Sequence, residues 1–352
     1  MFWKLAGRLG QEMVELGERL GPRIGRDANG LTALEKWIDD FATMHERYSA
    51  VFASFQAASR DQPTTGRSSM SISEQLATAL LRAFGLDSTR RENLMLGEGV
   101  VAVVIRCSFY WENLDSVASR RAFVHAVALF VHRLFAGPID NVNVERNAKA
   151  AKVVVPAAPR VRHGRDVRPR GEKTRRKLLD AGAKVLPSYG YQAARVDDIA
   201  AVAGVSHGSF YRYFQNKDDF FRVLAEDASL RMIDMLDRFP SASDGDALRA
   251  WTQEWFTTYE GNGGVISVWQ EMQAAEPTLA EFSLEVAVAV LGRLGRILEG
   301  RGFGDASIDA LAFLALTERM PYGVFTLRFS ERDEAVDAMV TMIRRGFMGL
   351  AS

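Results

Sequence analysis

Residues 33–63, ALEKWIDDFATMHERYSAVFASFQAASRDQP, line up without a gap on residues 247–277, ALRAWTQEWFTTYEGNGGVISVWQEMQAAEP. Trp37 falls on Trp251, Phe55 on Trp269, Gln56 on Gln270 and Pro63 on Pro277. Farther out, Tyr110 matches Tyr322, RLFAG at 133–137 matches RGFMG at 345–349, and the opening MFWKLA matches FFRVLA at 220–225. A chain that repeats itself over this span has to build one structural unit twice. Any two Ala-rich helical segments slide into partial register. A tryptophan, a glutamine and a proline recurring at fixed offset is what separates duplication from that alternative.

Both copies read as helices. Apolar residues recur at three- and four-residue steps and long alternating runs are absent, so the expected fold class is all-α. Hydrophobic residues make up 47% of the 352 residues and charged ones 25%, a globular composition that excludes a disordered chain. The lone Cys107 rules out an intramolecular disulfide and any multi-cysteine metal site, and fits a reducing compartment. The first twenty residues are amphipathic with charges throughout, unlike a secretion signal. Apolar runs such as GVVAVVI are too short to span a bilayer. The expectation is a cytoplasmic protein with no membrane partner.

The zero net charge averages two opposed regions. From Lys149 to Lys217 there are fifteen Lys/Arg against five Asp/Glu, so the rest of the chain is acidic by the same margin. A basic block inside an acidic protein marks a polyanion partner, with a solvated basic linker as the plainer reading. The stretch 138–170, which overlaps this block, carries Pro156, Pro159 and Pro169 and reads as a semi-rigid linker between the copies. Five arginines, 160, 162, 165, 168 and 170, form an arm suited to phosphates or a minor groove.

The second copy continues upstream of Phe220, whereas Met1 stands opposite Phe220 in the first. The extra module spans Glu172 to Lys217. A first helix begins near Glu172, carries Leu178, Leu179, Val185 and Leu186 on one side and ends before Gly190, with Pro187 distorting its last turn. VDDIAAVA (196–203) is a short second helix with Val196, Ile199, Ala200 and Ala203 inward. In the turn, Gly204 takes the left-handed position, Val205 plugs the core and Ser206 caps the third helix. That helix, HGSFYRYF (207–214), turns Phe210 and Phe214 inward, leaving His207, Ser209, Tyr211, Arg212 and Tyr213 outward. This is helix-turn-helix spacing, whose second helix enters a major groove. A buried three-helix bundle with aromatic filler fits less well, because the two phenylalanines already supply the inward face.

EKTRRKLLDAGAKVLPSYGYQAARVDDIAAVAGVSHGSFYRYFQNKDDFF (172–221) resembles the DNA-binding domain of TetR-type (tetracycline-repressor-like) regulators. The repeated segments resemble that family's helical ligand-sensing and dimerisation domain. The resemblance implies four parts: a first sensor-type copy at 1–137 without its helix-turn-helix, the linker 138–170, the helix-turn-helix domain 171–219, and a second sensor-type copy at 220–352. It implies double-stranded DNA as partner. Ser206 caps the recognition helix and Gly208 lets the backbone approach a phosphate. His207, Ser209 and Tyr211 reach the groove, Tyr213 and Lys217 contact phosphate, and Thr174 and Arg175 lie beside the backbone. The family's usual Ser or Thr before the second helix is replaced by Ala194-Arg195. That removes a cap and offers Arg195 as a phosphate contact instead. His207 stands where Lys or Arg is more usual, and either donates to DNA or is solvated.

The resemblance also implies a small apolar effector in the second copy, with Trp251, Trp255, Tyr259, Trp269, Gln270 and Met272 as candidate contacts. Most of these aromatics read as core. No nucleophile, phosphate-loop or metal motif is present, so no enzyme, cofactor or metal is expected. His125 and His132 share a helical face and read as interface residues. The implied function is a ligand-responsive repressor, cytoplasmic and nucleoid-associated. The alternatives are a helical ligand-binding or interaction protein with weak non-specific DNA binding, and a chain whose first helix-turn-helix lay upstream of Met1. For assembly, the helix at 118–136 is expected against that at 332–349 in an intrachain pseudo-dimer. The rival is a homodimer through the second copy.

Overall fold

The computed structural model describes residues 2–21, 24–52, 63–113, 119–139, 169–272, 277–299, 301, 304–327 and 330–350. Among them every regular element is a helix. In chain order these are α1 (Phe2–Glu18), α2 (Ala28–Arg47), α3 (Pro63–Ala83), α4 (Arg91–Asn113), α5 (Arg120–Ala136), α6 (Pro169–Ala193) and α7 (Val196–Ala203). Next come α8 (His207–Tyr213), α9 (Lys217–Asp237), α10 (Gly245–Met272), α11 (Pro277–Leu298), α12 (Ala306–Tyr322) and α13 (Arg332–Thr341). Wider π-helical turns continue α12 over Gly323–Leu327 and α13 over Met342–Phe347. The basic linker from 140 to 168, with Arg160, Arg162, Arg165 and Arg168, lies outside the described residues, as does the Arg170 side chain.

The chain divides into two compact units that do not follow its linear order. One comprises 1–153, 240–252 and 294–352, the other 154–239 and 253–293.

In the first unit, the Asp27 carboxylate accepts from the Gly30 amide at 2.9 Å and starts α2. The Trp37 indole then donates to the Leu16 carbonyl at 3.1 Å, fixing α2 against the end of α1. Ser119 starts α5 by accepting from the Ala122 amide at 3.3 Å. Helix α4 packs against α12, and α5 packs against the π-helical turn Met342–Phe347. The α5 ladder Phe123, Val127, Phe130, Val131 and Leu134 is wholly buried, as are Val336, Met339, Ile343 and Phe347. Val340 is half-buried. Within α4, Arg91–Tyr110 is long and apolar enough to cross a bilayer, but most of it is buried here, as in a core helix. His125 meets the Glu35 carboxylate at 2.6 Å and His132 the Gly25 carbonyl at 2.9 Å, both as helix-interface residues.

In the second unit, α6 begins at Pro169, where a missing amide hydrogen is harmless, three residues before the expected start. Its helical path breaks at Gly190 (φ 71°, ψ 169°), the position before which the sequence ends the first helix. Arg176 holds α6 to α9 by donating to both Asp227 oxygens at 2.9 and 3.0 Å. Arg293 of α11 grips Asp237 of α9 in the same way, at 2.9 and 3.1 Å.

Candidate nucleic-acid interface

The α7–α8 pair is built by a turn that only a few residues allow. Helix α7 ends at Gly204, in the left-handed region at φ 66°, ψ 39°, and the Val205 amide returns to the Ala200 carbonyl at 3.0 Å. Ser206 is extended (φ −74°, ψ 152°), so the chain reverses and α8 starts at His207. Phe210 and Phe214 are fully buried, with rings 5.3 Å apart. Both pack on Phe220 of α9, at 5.2 and 4.8 Å. Three phenylalanines thus fix the rotation of α8 and determine which side chains face outward. Of the expected inward residues of α7, Ile199, Ala200 and Ala203 are buried and Val196 is half-buried, as is Val205 in the turn.

The outward face holds His207, Gly208, Tyr211 and Arg212, all exposed, with Ser209 and Tyr213 half-buried at its edge. Tyr211 is 43% exposed. A Cβ placed on Gly208 would meet nothing within 4 Å, so internal packing does not require glycine there. His207 pairs with Asp197 of α7 and lies 5.2 Å from the Tyr211 ring. To the two open readings of His207 the structure adds a third: a carboxylate partner that orients it beside Tyr211. Arg212 donates to the Ser209 hydroxyl at 3.0 Å. The sequence places Arg212 on the outward face, and its bond to Ser209 joins it to the expected site residues.

One expected role is corrected. Ser206 occupies the cap position, but its hydroxyl makes no capping bond to the helix backbone. It pairs instead with the Ser209 hydroxyl at 2.9 Å, a nearby group that competes with the amides. Lys217, the expected phosphate contact, is half-buried and engaged within the domain. Its ammonium donates to the carbonyls of Tyr191 (2.9 Å) and Ala194 (3.3 Å) and lies 4.4 Å from the centre of the Tyr191 ring. The last carbonyls of a helix have no partner within it, and a lysine amine is the natural donor to them. The α9 N-terminus beside Lys217 is already supplied with acceptors. Asn216 takes the Asp219 amide at 2.8 Å, and Asp219 takes the Gln215 amide at 2.9 Å.

Arg195 stands at the α7 cap with an exposed side chain. It has no acceptor of its own, and Asp198 reaches back to its amide at 3.2 Å, so half of a capping box survives. At the start of α6, Arg175 donates to Glu172 at 2.9 Å and Thr174 is half-buried. Lys173 and Lys177 are exposed on the same helix. Among the proposed effector contacts, Trp251, Trp255 and Tyr259 are buried. The side chains of Trp269, Gln270 and Met272 lie outside the described residues.

Residues 178–224 match the family of bacterial regulatory proteins, tetR family. An HTH-type transcriptional regulator of Bacillus subtilis, YwcC, is 38% identical over 60 residues, covering 17% of this chain and 27% of that protein. The transcriptional regulator AcuR of Cereibacter sphaeroides is 43% identical over 63 residues, covering 17% and 29%. The chain therefore spans under a third of the length of these two relatives. A longer match, 26% identity over 149 residues, links 42% of this chain to 76% of the fatty acid metabolism regulator protein of Bacillus subtilis. The turn at Gly204 and the phenylalanine-anchored α8 both fall within residues 178–224, the segment that matches the tetR family of bacterial regulatory proteins.

Proposed function

We propose that this chain binds operator DNA through a single helix-turn-helix and acts as a ligand-responsive repressor in the cytoplasm, at the nucleoid. The observation that carries the reading is the outward face of α8: exposed Tyr211 and Arg212 opposite two buried phenylalanines, with Gly208 open to close approach. In this reading Ser209, Tyr211 and the Asp197-oriented His207 meet base edges. Arg195, Arg212, Tyr213 and Thr174, with the arm at 160–170, meet phosphates. Lys217 and Arg175 act by holding helix ends. A small apolar effector seated among the α10 aromatics, Trp255 and Tyr259 among them, favours a conformation in which α8 releases DNA. This requires tighter effector binding to the released state. The relative named for fatty acid metabolism matches well beyond the length of a helix-turn-helix, which supports an acyl compound as effector.

We further propose that 1–137 and 220–352 are two copies of one sensor domain, paired within the chain. Two observations support this. The matched prolines Pro63 and Pro277 both open helices, and the matched arginines Arg120 and Arg332 do the same. The final helices of the two copies also pack on each other inside one compact unit. A second reading, weak non-specific DNA binding by a ligand-binding protein, draws on the pairing of Arg175, Arg176 and Lys217 inside the domain. Fluorescence anisotropy against random and selected duplexes separates the two. A preferred sequence supports the repressor, and equal affinity for all duplexes supports the alternative.

A further inference from the structure

We infer that Arg106 and Glu318 select the intrachain pairing of the two copies and oppose dimers formed through either copy alone. The inference rests on the duplication and pairing proposed above.

The Arg106 guanidinium donates to Glu318 at 2.9 Å across the α4–α12 contact, between residues 212 apart in sequence. The two side chains are only 7% and 14% exposed. The guanidinium also lies against the rings of Phe109 and Tyr110, at 4.8 and 4.7 Å. Tyr110 and Tyr322 stand at that same separation. So do Arg120 and Arg332, which open α5 and α13, and Gly137 and Gly349, which come after them at φ 85° and 65°. Position 106 of the first copy is therefore position 318 of the second. A position that meets its own counterpart lies on the two-fold axis of the pairing.

On such an axis a true homodimer places identical residues together. Two second copies would bury Glu318 against Glu318, and two first copies Arg106 against Arg106. Like charges held out of water without compensation are strongly unfavourable. Only a first copy facing a second copy brings opposite charges together.

Side-chain size shows the same one-way fit. Phe130 lies flat on Gly346, where a Cβ would come within 2.6 Å of its ring, and stacks on Phe347 at 4.4 Å. In the same register Gly346 corresponds to Leu134 and Phe130 to Met342. Two first copies would drive Phe130 into Leu134, and two second copies would set Met342 over a glycine. Charge and volume thus both favour one partner and disfavour the alternatives, which is how specificity between similar faces is built. The outcome is one reading head per closed face.

Charge reversal in the full chain tests this, read by sedimentation and thermal unfolding. The wild type should sediment as a 39.0 kDa species across concentrations. Arg106→Glu and Glu318→Arg should each melt several degrees lower. The double reversal should recover both the melting temperature and the monomer mass. Mixing the two single variants should yield a heterodimer of twice that mass that neither forms alone. Single reversals that melt with the wild type, a double reversal that does not recover, or a mixture that does not associate would each overturn the inference. A wild type that is itself a tight dimer would overturn the intrachain pairing beneath it. DNA preference is measured independently and stands or falls without reference to these masses.

Discussion

Lys217, the first residue of α9, closes on the carbonyl of Tyr191 near the end of α6 at 2.9 Å, above the ring of the same tyrosine. One side chain thereby joins the two helices that flank the α7–α8 pair. Lys217→Ala should lower the stability of this domain by about 1–2 kcal/mol, the range for a hydrogen bond from a charged group to partly exposed carbonyls. DNA binding should fall equally for all sequences. Thermal unfolding is the check. An unchanged melting point alongside weakened binding would return Lys217 to the role of a direct phosphate contact.

Arg212 and Tyr211 share the exposed face of α8, and their substitutions should differ in kind. Arg212→Ala should weaken binding to every duplex and reduce the salt slope by about 1. Tyr211→Ala should change the ranking of duplexes by about 1–3 kcal/mol at one or two base pairs. Competition binding with a panel of single-base variants distinguishes them. An unaltered ranking for Tyr211→Ala would remove it from the base-reading set.

Phe214 is buried against Phe210 and Phe220. Phe214→Ala should cost about 3–5 kcal/mol and release the rotation of α8. Specific binding should disappear although no DNA-facing residue has changed. Retained affinity would show that the three-phenylalanine cluster does not fix the reading head.

The parts legible in the sequence are those encoded within a few residues. Gly204, Ser206 and the Phe210/Phe214 spacing specify the turn and the orientation of α8, because a left-handed glycine and an i, i+4 pair are local requirements. The sequence places Ser206 correctly but not its partner, since two hydroxyls three residues apart can satisfy each other as readily as an amide. The Lys217 role is hidden because its acceptors lie 26 and 23 residues upstream, at a helix end whose orphan carbonyls no pattern marks. The pairing of Asp197 with His207 crosses the turn and emerges only once both helices are placed. Arg106 and Glu318 are beyond any local reading, because 212 residues separate them and their ion pair forms only once α4 and α12 pack together.

Glu98 in α4 supplies a pH-dependent term. Burial pushes its carboxyl up to about 7, with Glu74 adding to the rise and Arg91 opposing it. One carboxylate oxygen is buried without a hydrogen-bond partner. The folded state thus holds this proton more tightly than the unfolded chain does. Stability should decline as pH rises from about 4.5 to about 7 and level off above that, for this group alone. Glu98→Gln should remove the decline and raise stability at pH 8 by about 1–2 kcal/mol, allowing for partial exposure. Unfolding curves at pH 5 and pH 8 report it. A wild type and variant with the same pH profile would contradict this assignment.

In the proposed function one helix-turn-helix per chain engages duplex DNA through the outward face of α8 and the basic arm. The most direct test is the salt dependence of affinity for a selected duplex, measured by anisotropy with the stoichiometry determined in the same titration. Neutralising about five phosphates gives a slope of log affinity on log salt near roughly −4.5. That slope, one chain per site and a clear preference over random duplex are the expected result. A flat salt response with equal affinity for every sequence would contradict it.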